Sequence, residues 1–297
     1  MSFFTTENFN AENFNFKLKV VDGKQQIKLT SKDAKLAIVN TPFMIFPFPV
    51  SSYAKSKGST EIPTDWTLDL KAACYETLDL KKIDCDYSKN SIMIKKLFAE
   101  IEILQNKLTD FAVENSVKLF KKELKREIIE EAYVAKIIKK SDKKDADGNP
   151  YPDRITTKIM KNIKTGNPDL IIEDFEENSI PIESWDDIET KVSGLIPKGT
   201  AGRSIIMFRP YLVNGKLGIT IKLCAVQVDD KKKNAGSNVF TFRTGPSSFA
   251  SASTPKPVET TEPFVQTIES QVLDSEEDED KEEDDDDEGS EVDVEES

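Results

Sequence analysis

The chain has 297 residues, 41 of them basic and 54 acidic, with 37% hydrophobic content and no histidine. Residues 274–297 alone hold 17 carboxylates and one lysine, so the formal −13 belongs to this segment, and 1–273 keeps 40 basic and 37 acidic residues, net +3. No apolar run reaches the roughly 20 residues of a membrane span, the start lacks the basic and apolar regions of a secretory signal, and the missing histidine removes His-based triads, most zinc sites and the commonest general base.

In chain order, the first strands are expected at Phe16 to Val21, Gln26 to Thr30 and Lys35 to Val39. Before them, Glu7-Asn8-Phe9-Asn10 is echoed by Glu12-Asn13-Phe14-Asn15, a local feature and not an architectural repeat. The stretch 41–53, TPFMIFPFPVSSY, is aromatic and punctuated by Pro42, Pro47 and Pro49. These prolines prevent a regular central strand and put some rings on loops. Phe43, Phe46, Phe48 and Tyr53 are then either core residues or, interleaved with Lys55 and Lys57, surfaces on which bases stack. Trp66 opens another strand, to Leu70, and has the same two readings.

A long helix is expected over 92–128. Leu97, Ile101, Leu104, Leu108 and Phe111 recur in steps of four and three, and Val117, Phe120, Leu124 and Ile128 extend the stripe. Two heptads are too few to support a dimer claim, so a helix packed on a sheet is expected ahead of a coiled coil. Asp147-Gly148-Asn149-Pro150 reads as a turn, followed by strands at 154–164, 169–174, 202–213 and 217–228. Over 154–164, Ile155, Thr157, Ile159 and Ile163 fall on one side and Arg154, Lys158 and Lys164 on the other.

The most informative segment runs from Arg203 to Leu223. Asn214-Gly215 between β-rich runs is a type I′ hairpin signal. A two-residue loop sets the register: Val213 opposite Lys216, Tyr211 opposite Gly218, Arg209 opposite Thr220, Met207 opposite Lys222. One face then holds Ile206, Phe208, Pro210, Leu212, Leu217, Ile219, Ile221 and Leu223. The other presents Arg209, Tyr211, Lys216, Thr220 and Lys222. That face is either solvated or a platform where phosphates meet Arg and Lys while a base stacks on Tyr.

The expected architecture is mainly β with an inserted long helix (α+β). A five-stranded OB-fold-like barrel, with its helix between the third and fourth strands, is compatible with it. The domain comprises 1–245, with 39 basic and 34 acidic residues, net +5. A Ser/Thr/Pro linker, 246–273, and a disordered acidic C-terminal tail, 274–297, follow. A flexible linker of that length spans roughly 30 Å. Cys74, Cys85 and Cys224 form no CxxC pair and fit reduced thiols in a cytosolic or nuclear compartment. The sequence contains no phosphate loop, dinucleotide fingerprint or nucleophile elbow.

These residues carry a resemblance. Thr41-Pro42 with Pro47-Phe48, the helix after Trp66, Lys143-Lys144-Asp145 with Asp147-Gly148 and Tyr151-Pro152, Gly202 with Arg209-Pro210-Tyr211 and Gly218, and the acidic terminus occur in this order. The chain resembles the single-stranded DNA-binding proteins of nucleocytoplasmic large DNA viruses, related to the OB-fold replication proteins of short-tailed phages. The missing histidine and phosphate loop argue against an enzyme, and no cofactor or metal is expected. The resemblance implies that the chain would bind single-stranded DNA without sequence preference in replication, recombination or repair. Its acidic tail would cover the DNA groove and dock replication proteins such as a polymerase or helicase. A homodimer, and a place in the cytoplasmic or nuclear replication compartment of a host cell, fit the same expectation. The nucleic-acid-binding candidates are Phe43, Phe46, Tyr53, Lys55, Lys57, Trp66, Arg154, Lys158, Lys164, Arg203, Arg209, Tyr211, Lys216 and Lys222. The competing reading is an acidic-tailed histone chaperone or interaction scaffold. Such a protein does not need the basic hairpin face, and it would lose its ligand when the tail is removed.

Overall fold

The computed structural model describes residues 4–21, 23–31, 36–58, 60–76, 86–144, 148–173 and 178–228. The linker, the acidic segment, Cys85, Asp145 and Asp147 lie outside this set. By contacts the chain divides into Met1–Lys256 and Pro257–Ser297, and every described residue belongs to the first unit.

Strand β1 is Phe4–Thr5, and β2 (Phe14–Val21) and β3 (Lys24–Ser31) form a two-stranded hairpin. The N-terminal echo has a packing role. Phe9 and Phe14 are fully buried with their ring centroids 5.6 Å apart, and Phe9 stacks on Phe208 at 5.6 Å. Next come β4 (Ile38–Asn40), β5 (Met44–Phe46), β6 (Ser51–Ser52), the single turn α1 (Tyr53–Ser56) and β7 (Trp66–Lys71). Along β7 exposure alternates, with Trp66, Leu68 and Leu70 inward, the period of a strand with one buried face.

Helix α2 spans Tyr87–Glu114. Asp86 caps it, its Oδ1 accepting from the Lys89 amide at 2.7 Å. Ile94, Leu97, Phe98, Ile101, Leu104, Leu108 and Phe111 make its buried stripe. The expected continuous helix to 128 is broken twice. α2 ends at Glu114 with Asn115 as its cap, α3 is Ser116–Phe120, and α4 (Arg126–Ala132) follows Lys121, which adopts a left-handed φ of 61°. Each break resets the helical phase, so the stripe moves by one or two residues. Leu119 and Ile129 are buried, whereas Val117 and Ile128 are 59% and 46% exposed.

β8 (Ile138–Lys139), β9 (Arg154–Lys158), β10 (Ile171–Glu173) and β11 (Ser179–Ile180) precede a helical segment made of Trp185–Asp187, a π turn at Ile188–Val192, and Ser193–Leu195. The long β12 (Thr200–Val213) and β13 (Lys216–Val228) complete the fold. β9 stops at Lys158, short of the expected 164. Ile163 is therefore 59% exposed, in a loop closed by the Lys161–Pro168 bridge.

Five strands close on themselves in the order β5–β7–β9–β13–β12–β5. All neighbours are antiparallel except β9 and β13. In chain order this is 1-2-3-5-4-1, the OB-fold barrel. The long helical stretch enters between the second and third barrel strands, β7 and β9, and not between the third and fourth as expected. The third-to-fourth connection holds the shorter helical segment Trp185–Leu195. A register shift between Ile205 and Ile206 leaves Cys224 opposite no residue. Such a bulge bends the pair. On its other edge β12 pairs with β5 at Thr200–Gly202 and with β4 at Ile205–Met207. Gly202 makes this corner possible: a Cβ there would sit 2.6 Å from both the Gln227 carbonyl oxygen and Phe46 Cε2.

Candidate nucleic-acid interface

The hairpin register is the one expected from its turn. Val213 pairs with Lys216, Tyr211 with Gly218, Arg209 with Thr220 and Met207 with Lys222. Asn214 and Gly215 have φ of 48° and 73°, as a type I′ turn requires. Ile206, Phe208, Leu217, Ile219, Ile221 and Leu223 line the core, with Leu212 packed against it.

The outward face begins at the tip with exposed Lys216 and half-buried Tyr211. The Tyr211 ring lies over Gly218, where a Cβ would collide with it. Burial pushes the Tyr211 phenol above its ordinary pKa, so the ring stays neutral at physiological pH. Arg209 donates from Nη1 to the Met160 sulfur at 3.7 Å, a weak acceptor that a phosphate oxygen outcompetes. Further along, Ile205, Ala225 and Ile38 form a small outer cluster with Met207, Ile171 and Cys224. Burial holds the Cys224 thiol at about 11, which leaves it unreactive.

Barrel closure extends this face across β9 and β7. Lys222 pairs in register with Lys158, and Arg154 with Lys71. The last two cations each cover an exposed ring. The Arg154 guanidinium lies 5.6 Å from the Phe48 centroid, and Lys71 Nζ lies 5.6 Å from the Tyr151 centroid. Phe48 and Tyr151 are 43% and 45% exposed. Asp69 is an acid within this patch. It accepts from Thr156 Oγ1 at 2.6 Å and lies 3.4 Å from Arg154 Nη1. The Arg154 side chain is 40% exposed and that of Asp69 17%, so the guanidinium side of the pair stays open to an incoming phosphate.

The structure removes three expected stackers from the surface. Phe43, Phe46 and Trp66 are 1%, 0% and 3% exposed. Asn90 of α2 pins Phe43 inward, accepting from its amide and donating to its carbonyl, both at 2.9 Å. Phe46 packs on the bare backbone of Gly202. Trp66 points into the barrel, its Nε1 donating to the Pro63 carbonyl at 2.8 Å. Three expected cations are engaged by acids: Arg154 by Asp69, Lys55 by Glu189, and Lys222, itself mostly buried, by Asp169. Arg203 lies over the Phe43 ring at 5.4 Å, outside the aromatic–basic patch. Lys164 is exposed in the loop after β9.

Tyr53 is 70% exposed with Lys57 Nζ 5.5 Å from its ring. Asp65 holds that segment, accepting from the Tyr53 and Ala54 amides at 2.9 and 3.1 Å and from the Ser52 hydroxyl. Burial pushes the Asp65 carboxyl up, but these hydrogen bonds outweigh it and bring its pKa below the ordinary value. Tyr151 and Lys71 are not among the expected site residues, and Phe48, expected as either core or stacker, is not among the nucleic-acid-binding candidates. The available signals were Phe48 between two prolines and the outward phase of Lys71 after Trp66, Leu68 and Leu70.

No protein-family model matches the chain, and no curated protein sequence matches it. Among solved structures, similarity is found to the single-stranded DNA-binding protein from bacteriophage Enc34 in complex with ssDNA, at 14% identity and a TM-score of 0.35, covering 76% of this chain and 99% of that one. A C-terminal truncation of the Enc34 protein matches at 16% identity and a TM-score of 0.34, over 76% and 98% of the two chains. Gp2.5, a single-stranded DNA-binding protein encoded by bacteriophage T7, matches at 13% identity and a TM-score of 0.36, over 65% and 91%. At this level of superposition the likeness carries no argument of its own, and the fold rests on the strand order of this chain.

Proposed function

We propose that the outer face of the barrel binds single-stranded DNA without sequence preference, in replication, recombination or repair. The observation that carries this reading is the cross-strand pair Lys71–Arg154, with each cation over an exposed ring, on the same outward face as Arg209, Tyr211, Lys158 and Lys216. Cations answer the phosphates, and rings accept bases of any sequence because every base has a π-face. No base-edge reader is required. The sequence resemblance to viral single-stranded DNA-binding proteins supports the same assignment.

The acidic segment 274–297 then acts as a tethered competitor. Its charge of about −16 opposes the cations of the face, and a linker of 28 residues keeps it at roughly millimolar effective concentration. DNA displaces it, freeing it for replication proteins where single strands exist. A salt-titrated comparison of single- and double-stranded oligonucleotides, on the full chain and on 1–273, tests both statements. Log affinity for single strands falls linearly with log salt, by about 0.7 per phosphate neutralised. Truncation raises affinity most at low salt, where screening is weakest. Salt-independent binding, or equal affinity for duplex, overturns the DNA reading. Unchanged affinity on truncation at every salt concentration overturns the competitor.

A further inference from the structure

A cavity of about 510 Å³ lies between β1, the segment after β4, the first turns of α2 and Arg203. It shares no residue with the aromatic–basic patch around Phe48 and Tyr151. Its volume is within the range of small-ligand sites, about 300–1,000 Å³. Three properties of its wall bear on what it holds.

The first is an unmet acceptor. Asn40 lines the cavity at 4% exposure, and its Oδ1 has no hydrogen-bond partner. Thr5 lines it too, with a buried and equally unpartnered Oγ1. A buried acceptor without a partner is unfavourable, so a fitting ligand brings a hydrogen-bond donor, such as a base N–H. The second is charge. Lys89, Lys96 and Arg203 line the cavity against one acid, Glu7, whose main-chain carbonyl already receives Lys96 Nζ. The third is an apolar rim of Pro42, Met93 and Ile92, the last 65% exposed.

A simple anion satisfies only the lysines, because it presents acceptors to the Asn40 carbonyl oxygen. An apolar ligand satisfies only the rim. A nucleotide carries an N–H edge, a flat apolar face and an anion together. We infer that the cavity is a nucleotide site, taking a base whose N–H edge meets Asn40 and Thr5, with a 5′-phosphate held by Lys89 and Lys96. A free nucleoside monophosphate and the 5′-phosphorylated end of a strand present the same chemistry.

The test uses the full chain and calorimetric titration with dAMP, deoxyadenosine and inorganic phosphate, and with an oligonucleotide bearing or lacking a 5′-phosphate. Charge-assisted hydrogen bonds are worth about 1.5–3 kcal/mol, so the phosphate confers about tenfold or greater preference. A preference for dAMP over both of its parts identifies a free nucleotide as the ligand. A preference confined to the oligonucleotide identifies a strand end. In Lys89→Gln/Lys96→Gln, with the melting temperature confirming the fold, that preference disappears, and in Phe48→Ala it persists. Absence of any phosphate preference in the wild-type chain, or its survival in the double variant, overturns the site. The oligonucleotide lacking phosphate reports the barrel face separately: if it fails to bind while dAMP binds, the face is refuted and the cavity stands.

Discussion

Phe48 and Phe46 are two residues apart, and the structure gives them opposite roles, which makes them a paired test. Phe48 is 43% exposed beneath Arg154, and Phe46 is fully buried against Gly202. If the proposed face binds single strands, truncating Phe48 to alanine removes a stacking ring worth about 1–3 kcal/mol of binding, or roughly 5- to 150-fold in Kd. Its cost to folding is of similar size. Full burial of such a side chain is worth about 1.5–3 kcal/mol, Phe48 realises about half of that, and an exposed cation–π contact adds about 0.5–1 kcal/mol. The expected loss of stability is therefore about 1.3–2.5 kcal/mol. Phe46→Ala opens a cavity in the core and costs about 3–5 kcal/mol, with no change in affinity for the fraction that remains folded. Fluorescence anisotropy with an oligo-dT probe at several salt concentrations reads binding, and urea unfolding reads stability. Stacking is short-ranged, so Phe48→Ala shifts affinity without altering the salt slope, whereas Arg154→Gln lowers the slope by about 0.7. Wild-type affinity in Phe48→Ala, or a binding loss in folded Phe46→Ala equal to that of Phe48→Ala, refutes this assignment of the two rings.

Gly218→Ala drives a methyl into the Tyr211 ring and weakens DNA binding by about the 1–3 kcal/mol of Tyr211→Ala; the double variant is no weaker than either, and full additivity of the two losses by anisotropy contradicts the contact. Gly202→Ala meets main chain as well as Phe46 and lowers unfolding free energy by about 1–3 kcal/mol or more, measured by denaturant titration. Asp65 has a depressed pKa, so its contribution is fully present above the unfolded-state value of about 3.9 and is lost as pH falls through the lower folded-state value; Asp65→Asn flattens that part of the stability–pH curve, and an unchanged curve contradicts the clamp. Cys224, with its thiol at about 11, resists thiol reagents in the native chain at pH 8 and reacts on unfolding, read by mass spectrometry of the labelled peptides.

What was legible in the sequence was local. The β12–β13 hairpin follows from Asn214-Gly215, because a two-residue turn sets every pairing next to it and alternation then sorts the faces. The stripe of α2 follows in the same way from the spacing of Leu97, Ile101, Leu104 and Leu108. The charge division at residue 274 is a property of composition and needs no fold. What the sequence could not decide was which of several equivalent residues faces inward when partners lie far apart along the chain. Phe43 and Phe48 have the same chemistry in the same Pro-punctuated stretch. Asn90, in a helix 47 residues away, pulls Phe43 inside, and Arg154 meets Phe48 at the surface. Lys71 and Arg154 become neighbours only because β7 and β9 pair across the inserted helices. Periodicity carries no information about such pairing, since it records the direction of a side chain and not the strand that comes to lie beside it.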